Sequence, residues 1–323
     1  MDLIYIKQYI KTFVKHNIFL SKIYSYYKIL KFTIQGKKLN KHIILSNKIK
    51  SNGINSYKRS PQIIITLTSY PKRIHEVYYS IYSLLCQSFK PDKIILWLSL
   101  DEFSDKTKSL PNNLIELQNY GLTIKWVNKT YYSYDKIIHA LNYFPNDILV
   151  TADDDIFYHR DWLKNLYYTF KEKQKIYDNI IICHRMHKIT IKNGFPRPYN
   201  VWQQEITSNI PDPLNFPTGC GGVLYPPQCF YKNVCNTEEF SKIAPFADDI
   251  WLWGMALLNN YYFITANNCC KFKYIDIYRE CNSYDKQNLK YYNITQSNND
   301  KQINNLLHKY PLLLDIINNK RYK

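Results

Sequence analysis

The sequence predicts an α/β fold in which helices flank a mostly parallel, Rossmann-like sheet, preceded by a basic helical extension. Short apolar runs begin about thirty residues apart, and they are QIIITLT (62–68), KIILWL (93–98), TIKWV (123–127) and DILVTA (147–152). Segments with helical character, 73–87, 112–120 and 134–143, lie between them. Strands that alternate with helices at this spacing form βαβ units, and their strands run parallel.

The second half of the chain continues this pattern less regularly. We expect, in order, a helix at 161–172, a strand at 179–184, a glycine-rich turn into a strand at 219–227, a helix at 246–258 and a strand at 261–266. The last fifty residues are polar except for one short apolar helix near 302–317. The predicted organisation is an extension (1–45), a linker (46–61), a main domain (62–275) and a polar, partly helical tail (276–323).

The composition is that of a globular protein with an uneven charge. The 323 residues are 46% apolar and 16% aromatic, which is enough to fill a core. Residues 1–61 hold twelve Lys, one Arg and a single acid, Asp2, and therefore +12 of the net charge of +17. A composition biased towards Lys, Asn, Ile and Tyr would explain this excess, and so would binding to an anionic partner.

The N-terminal segment 3–34 has apolar positions at roughly helical spacing, with lysines between them. It predicts one or two basic amphipathic helices, which either dock on an anionic membrane surface or pack on the main domain. No apolar run approaches the roughly 18 residues that span a bilayer, so we expect any membrane association to be peripheral. The eight cysteines lack a framework spacing and no secretory segment precedes them, which predicts reduced thiols and a cytoplasmic location.

Three consecutive aspartates, Asp153, Asp154 and Asp155, directly follow the apolar run at 147–152. Three like charges repel one another and are costly to desolvate without a cation, and Mg²⁺ and Mn²⁺ prefer carboxylate ligands. In an extended backbone Asp153 and Asp155 point to the same side, so both can face one ion while Asp154 turns elsewhere. The alternative is that Asp155 or Asp161 caps the following helix.

A second acidic pair, Asp248 and Asp249, opens a tryptophan-rich helix. A carboxylate near apolar rings has a raised proton affinity, which suits a general base at neutral pH, whereas helix capping is the structural alternative. The glycines at 219, 221 and 222 would let a ligand approach the backbone closely, or they simply form a tight turn. Cys183, His184 and His187 lack a second ligand pair at useful spacing, so we do not expect zinc.

Ligands of parallel sheets bind beyond the carboxyl ends of the strands, which points to the loop TSYPKR (68–73) and to the aspartate run. A nucleoside diphosphate needs a stacking face and nearby cations, and Tyr70, Arg73 and Lys136 could supply them. Each is equally compatible with an ordinary surface position.

Five separated motifs, taken together, resemble the nucleotide-sugar glycosyltransferases of the GT-A fold. They are ITLTSYPKRI (65–74), DKIILWLS (92–99), TADDDIFY (151–158), GCGGVLY (219–225) and FADDIWLW (246–253). More narrowly, the chain is similar to bacterial-type transferases of surface-polysaccharide and lipooligosaccharide synthesis. The resemblance covers about 62–270 and makes 62–275 the catalytic domain.

The resemblance implies roles for particular residues. It assigns a divalent metal, Mn²⁺ or Mg²⁺, to Asp155 and Asp153, with ribose contact as the alternative for Asp153. The predicted donor contacts are Thr68, Tyr70, Arg73, Lys136, Asp153 and Asp154, of which all but Lys136 follow from the resemblance. The acceptor contacts are Gly219, Gly221, Gly222 and Trp251, and the catalytic base is Asp249 or Asp248. A C-terminal histidine often completes the metal site in such enzymes, and here only His308 follows His187.

The expected activity is the metal-dependent transfer of a sugar, with inversion, from a nucleoside-diphosphate sugar to a glycan or lipid-linked glycan. We expect it at the inner face of the plasma membrane. A metal-dependent nuclease or polymerase is a second hypothesis, but the excess charge lies outside the aspartate edge, so we expect no nucleic-acid partner. The third is a non-catalytic carbohydrate-binding protein, which would need neither the aspartate run nor a nucleotide loop.

Overall fold

A computed structural model of the chain describes residues 52–269 and 297–319, together with the backbone of 275–276. The predicted extension (1–45) therefore lies outside the described residues, as do 46–51 of the linker, 270–274 of the main domain, and 277–296 and 320–323 of the tail. The cores of the predicted strands and helices of the main domain are confirmed, most of them with slightly shorter bounds.

The strands number thirteen among the described residues. They are β1 (Ile63–Thr68), β2 (Lys93–Ser99), β3 (Leu122–Val127), β4 (Ile148–Thr151), β5 (Ile156–Phe157), β6 (Ile180–Cys183), β7 (Met186–Lys188), β8 (Ile191–Lys192), β9 (Phe195–Pro196), β10 (Asn215–Pro217), β11 (Val223–Tyr225), β12 (Tyr262–Thr265) and β13 (Ile275–Asp276).

The α-helices of the same ranges number eight. They are α1 (Val77–Leu85), α2 (Asn112–Glu116), α3 (Ile138–Tyr143), α4 (Trp162–Lys173), α5 (Thr237–Ile243), α6 (Asp248–Leu258), α7 (Asn298–Lys309) and α8 (Leu312–Asn319).

Seven strands form the central sheet, in the order β12-β6-β11-β4-β1-β2-β3. Neighbouring strands pair in parallel except at β11, which runs antiparallel to both β4 and β6. The residues of β1 from Ile63 to Leu67 are all buried, because helices and loops cover both faces of the sheet. The predicted α/β class with a mostly parallel sheet is thus confirmed.

The C-terminal region differs from the prediction of one helix near 302–317. The chain forms two helices, α7 and α8, and the break between them falls at Tyr310 and Pro311, because proline lacks the N–H that would continue a helix. Both helices pack on α6. Leu306 of α7 is fully buried, and its side chain lies where a Cβ on Gly254 of α6 would be.

Within the described parts of the chain, no helix has the length and apolar character needed to cross a bilayer.

Candidate functional site

One edge of the central sheet gathers the motifs found in the sequence. The parallel strands β1, β2 and β4 end there, and the aspartate run follows β4 directly. Val223, the first residue of β11, pairs with Thr151 at the end of β4 and with Cys183 at the end of β6. Because β11 runs in the opposite direction, the glycine loop that precedes it (219–222) lies at the same edge as the aspartates.

Lys136 joins the two acidic motifs. Its Nζ lies 3.1 Å from Oδ1 of Asp153 and 3.0 Å from Oδ2 of Asp248, and its side chain is 9% exposed. The backbone is fixed as well, since the carbonyl oxygen of Lys136 accepts a hydrogen bond from Oγ1 of Thr66 at 2.6 Å. Asp153 and Asp248 are far apart in sequence, and this buried ammonium brings them to one place.

The charge of Lys136 is secured by its acidic neighbours. Burial by itself lowers the pKa of the ammonium group, but Asp153, Asp248 and Asp249 outweigh that effect and raise the pKa well above its ordinary value. The lysine is therefore a permanent cation at the pH of any cell. An ion pair of this kind is partly desolvated, so the loss of one partner would leave an uncompensated charge.

Asp249 is half-buried and differs in its contacts from Asp248. The backbone N–H of Gly219 donates to both of its carboxylate oxygens, at 3.0 and 3.1 Å. Desolvation and the neighbouring Asp248 carboxylate raise the pKa of Asp249 to about 7, against the opposing effects of Lys136 and of the Gly219 N–H. A Cβ on residue 219 would lie 2.9 Å from Oδ1 of Asp249 and 3.0 Å from Nζ of Lys136, so a side chain there would displace the ends of both.

The structure does not support helix capping, the alternative role considered for these acidic residues. The N-cap residue of α6 is Ala247, which makes no side-chain capping hydrogen bond. Asp161 precedes α4, but its side chain makes no capping hydrogen bond either. Neither Asp248 nor Asp249 is therefore the N-cap residue of α6, and both side chains take part in the contacts described above.

The loop after β1 is attached to the aspartate run through Arg73. Its Nη1 lies 2.8 Å from Oδ1 of Asp154 and 3.0 Å from Oδ2 of Asp155. Asp154 also accepts a hydrogen bond from Oγ of Ser69 at 2.7 Å, and burial raises its pKa despite the opposing charge of Arg73. Asp154 thus anchors the loop and, being only 9% exposed, offers a donor little surface.

The prediction assumed an extended backbone for the aspartate run, but the structure shows a turn there. Asp154 and Asp155 form a turn between β4 and β5, and the N–H of Asp153 donates to the hydroxyl oxygen of Tyr158 at 2.7 Å. The turn directs Asp153 towards Lys136 and Asp155 towards Arg73. Alternation along a strand therefore does not account for where these carboxylates point.

The residues at this edge meet the modest demands of Mg²⁺ or Mn²⁺. Such an ion is commonly held by one or two carboxylates, with waters and substrate phosphates completing its shell. The side chains of Asp153 and Asp155 are 23% and 21% exposed, so both retain surface for a ligand. Across the described ranges no three His, Cys, Asp or Glu side chains converge as a ready-made metal cluster, and His308 lies exposed on α7.

The remaining donor candidates are Thr68, the last residue of β1, and Tyr70, in the loop that follows, and both are partly exposed. The hydroxyl of Thr68 donates to the carbonyl of Trp97 at 3.0 Å, which ties the end of β1 to β2. The guanidinium of Arg73 lies 5.5 Å from the centre of the Tyr70 ring. A cation and an aromatic ring are therefore adjacent at the position where a nucleotide was expected.

Gly221 and Gly222 are explained by packing. Gly222 has φ +90, and a Cβ there would lie 2.3 Å from Cζ2 of Trp162. A Cβ on Gly221 would lie 2.8 Å from Cβ of Arg185. Both positions need glycine to close the turn into β11, whereas only Gly219 of the predicted acceptor glycines adjoins the acidic pair.

Trp251, predicted to contact an acceptor, is a core residue, and this assignment is corrected. Its side chain is fully buried, and its indole N–H donates to the carbonyl of Val234 at 2.9 Å. The ring packs edge-on against Phe240 and lies near Tyr310. A helix that opens with two polar acids still buries its next turn, and the sequence pattern does not separate these two environments.

Several residues of the site were missed in the sequence. Ser69 and Tyr158 hold the aspartate run through hydrogen bonds, and the indole of Trp162 donates to the carbonyl of Gly221 at 2.7 Å. All three lie within or beside the motifs already noted, so the available signal was a hydrogen-bonding side chain next to an acidic or glycine motif.

Of the comparisons with known proteins, the one with solved structures finds similar proteins and the others find none. No family model and no curated protein matches the chain. Similar solved structures include S. aureus TarS 1-349, at 16% identity and a TM-score of 0.37 over 63% of this chain and 60% of that one. The mannosyltransferase PcManGT from Pyrobaculum calidifontis, in complex with GDP-Man and Mn²⁺, has 16% identity and a TM-score of 0.38 over 75% and 62%. An apo UDP-glucose pyrophosphorylase has 9% identity and a TM-score of 0.37 over 77% and 97%. The chain spans about three fifths of the length of TarS 1-349 and of PcManGT.

Proposed function

We propose that this protein is a metal-dependent glycosyltransferase that moves a sugar from a nucleoside-diphosphate sugar to a hydroxyl group of a glycan or lipid-linked glycan. The observation that carries the proposal is the bridge made by Lys136 between Asp153 and Asp248, beside Asp249. A carboxylate suited to a donor-bound metal and a carboxylate suited to a base thereby lie at one sheet edge. Transfer between a bound donor and a bound acceptor requires this proximity.

The donor side consists of the aspartate run and the loop after β1. Asp153 and Asp155 would hold Mn²⁺ or Mg²⁺, which when bound neutralises the charge that develops on the departing diphosphate. Arg73 orients Asp155 and supplies a cation beside the ring of Tyr70, where a nucleotide can lie. Asp154 keeps this loop in place through Ser69 and Arg73.

The base is Asp249, which the N–H of Gly219 orients, and the neighbouring Asp248 carboxylate raises its proton affinity. Asp248 is buried in its ion pair with Lys136, whereas Asp249 is half-buried and its pKa lies near 7. Asp249 removes the proton from the acceptor hydroxyl as the oxygen forms a bond to the anomeric carbon and the bond to the diphosphate breaks. A single displacement of this kind inverts the anomeric centre.

The wider assignment follows the resemblance of the motifs to bacterial-type transferases of surface polysaccharide. We propose a hexosyl donor, an acceptor that grows on a lipid carrier, and a cytoplasmic protein bound peripherally to the inner face of the plasma membrane. The basic segment 1–45, outside the described residues, would make that contact. Co-sedimentation with anionic vesicles tests it, because a chain that lacks 1–45 should bind far less, and unchanged binding contradicts it.

A donor screen tests the activity. We expect one class of UDP- or GDP-sugar, and no CMP-sugar, to raise the Tm in Mn²⁺ but not in EDTA, since a ligand at about 100 times its Kd stabilises by about 2.7 kcal/mol. Asp155→Ala should abolish the metal-dependent shift, whereas Asp249→Asn should keep the shift and lose turnover. Single-stranded DNA serves as the comparison ligand. Stabilisation by DNA alone, or the absence of any effect of nucleotide sugars, would contradict the proposal.

A further inference from the structure

Tyr132 is an exposed aromatic residue in a backbone conformation that favours glycine. Its φ is +57, and its side chain is 55% exposed. The left-handed conformation is unfavourable for a residue with a Cβ, and such residues cluster where a ligand or substrate is handled. The ring does not fill the core and is accessible to a ligand at the surface.

The loop around Tyr132 is rigidly held from within. Asp135 is buried, and its carboxylate accepts hydrogen bonds from Oγ1 of Thr130 at 3.0 Å and from the N–H of Tyr131 at 2.9 Å. The N–H of Tyr132 itself donates to Oγ1 of Thr130 at 3.1 Å. The loop then runs directly into Lys136, the lysine that bridges the acidic motifs. The exposed ring is therefore presented on a fixed support next to the proposed site.

A second aromatic ring stands beside it. The centre of the Phe246 ring lies 5.7 Å from that of Tyr132, with the two planes inclined by 54°. Phe246 is partly exposed and is two residues before Asp248. Its backbone N–H donates to Oε1 of Gln302, a buried side chain of α7, at 3.0 Å. Two rings from separate parts of the chain thus meet, one four residues before Lys136 and the other two residues before Asp248.

We propose that Tyr132 and Phe246 form a platform that binds a sugar ring of the acceptor. The inference rests on the proposed function and names the class of group recognised. The C–H groups on the face of a pyranose are apolar and pack on aromatic rings, and the Tyr132 hydroxyl can exchange hydrogen bonds with sugar hydroxyls. The acceptor must place a hydroxyl at Asp249, and Phe246 precedes Asp249 by three residues in the chain, whereas the nucleotide candidates Thr68, Tyr70 and Arg73 lie at and after the end of β1.

Saturation-transfer NMR with the full chain tests the platform without requiring turnover. The probes are methyl glycosides of glucose, galactose and N-acetylglucosamine at millimolar concentration, with UDP and GDP in separate samples. Tyr132→Gly is the decisive variant, because glycine accommodates φ +57 and the fold should be kept. We expect at least one glycoside to receive saturation from the wild-type protein and to bind about tenfold more weakly to Tyr132→Gly and to Phe246→Ala.

Two controls complete the design. Tyr132→Phe keeps the ring and should retain most of the binding. Tyr168→Ala removes another tyrosine, 53% exposed, whose ring neighbours are Phe89 and Tyr167, and should change nothing.

Three results would overturn the platform: no glycoside is bound by the wild-type protein, Tyr132→Gly binds as the wild type does, or the variants weaken UDP or GDP instead. If Tyr132-dependent glycoside binding is found but no nucleotide sugar is ever turned over, the platform stands and the transferase proposal fails.

Discussion

Asp249 carries a proton more readily than a surface aspartate does, and the cause lies in its immediate surroundings. Desolvation and the Asp248 carboxylate favour the neutral form, while Lys136 and the N–H of Gly219 favour the charged form. The balance leaves a pKa of about 7. A carboxylate with this pKa is a stronger base than an ordinary aspartate and is still half-ionised at neutral pH.

The first prediction concerns the pH dependence of the reaction. Because Asp249 must be ionised to accept a proton, kcat/KM should fall about tenfold for each pH unit below 7 and level off above it. Asp249→Asn should lower kcat by about 10² to 10⁴ and remove this dependence, since the amide oxygen still accepts from Gly219 but takes no proton. Donor turnover measured from pH 5 to 8 decides it, and an unchanged profile in the variant would exclude Asp249 as the base.

The second prediction concerns stability, which should change with pH in the direction opposite to that of the activity. The folded-state pKa of Asp249 lies above its unfolded value, so its ionisation disfavours folding increasingly as the pH rises from about 4 to 7. The free energy of unfolding of Asp249→Asn should therefore exceed that of the wild type at pH 8, and by less at pH 5. Urea denaturation at both pH values measures the difference in the free energy of unfolding between the variant and the wild type. A difference that is the same at both pH values would show that the burial of Asp249 does not raise its pKa.

The third prediction concerns the bridging lysine. Lys136→Met keeps most of the length of the side chain but leaves Asp153 and Asp248 without their cation, so the protein should lose about 3–5 kcal/mol of stability. Lys164→Met, at an exposed position of α4, is the matched control and should stay within about 0.5 kcal/mol. Adding Asp248→Asn to Lys136→Met should restore part of the loss. If Lys136→Met alone is as stable as the control, the bridge is not a stabilising feature.

Among the elements, the antiparallel strand β11 has the largest effect on the site. It is inserted between β4 and β6, and its direction delivers the preceding glycine loop to the edge where the parallel strands end. The loop must then turn tightly beside Trp162, whose ring occupies the space that a side chain on residue 222 would need. The glycines therefore belong to the architecture of this turn as much as to any ligand.

The fourth prediction separates strain from crowding in this turn. Gly222→Ala places a Cβ 2.3 Å from Trp162 at φ +90, whereas Gly194→Ala has a similar φ of +80 but nothing closer than 3.7 Å. Gly194→Ala should cost about 1–2 kcal/mol from the backbone alone, and Gly222→Ala distinctly more. Thermal or urea unfolding compares them, and equal losses would mean that Trp162 moves aside without cost.

Over the whole molecule, the C-terminal helices are part of the main core. Leu306 of α7 is fully buried over Gly254 of α6, and Gln302 of α7 holds the backbone of Phe246 close to the acidic pair. The helices α7 and α8 pack on α6, the helix that begins with Asp248 and Asp249. The position of the proposed base therefore depends on a segment that the sequence assigned to a polar tail.

The fifth prediction follows from this packing. Leu306→Ala should lower the free energy of unfolding by about 2–5 kcal/mol and leave a single cooperative transition, because α7 and α6 unfold together. Asn304→Ala, at an exposed position of the same helix, is the control and should be nearly neutral. Near-ultraviolet circular dichroism in urea follows the tryptophans of α6. A separate early transition for α7 would contradict a shared core.

The sequence by itself determined the order of the strands and helices along the chain, the α/β class and the presence of acidic motifs at strand or helix ends. Apolar runs and their spacing report local burial, and parallel strands must end at a common edge, so these features follow from short-range patterns. The same reasoning located Asp153, Asp155 and Asp249, whose proposed roles remain predictions. It assigned Trp251 to an acceptor contact although the residue is in the core, because the sequence pattern of an apolar helix face is the same whether that face contacts a ligand or the core.

Only the tertiary structure decided which of these residues meet. Lys136 forms ion pairs with Asp153 and Asp248, Asp249 accepts a hydrogen bond from the N–H of Gly219, and the ring of Phe246 contacts that of Tyr132. Such pairings depend on the antiparallel insertion of β11, on the turn within the aspartate run and on the packing of α7. These are long-range arrangements in which distance and burial, and not local periodicity, select the partner, and pKa values follow from them.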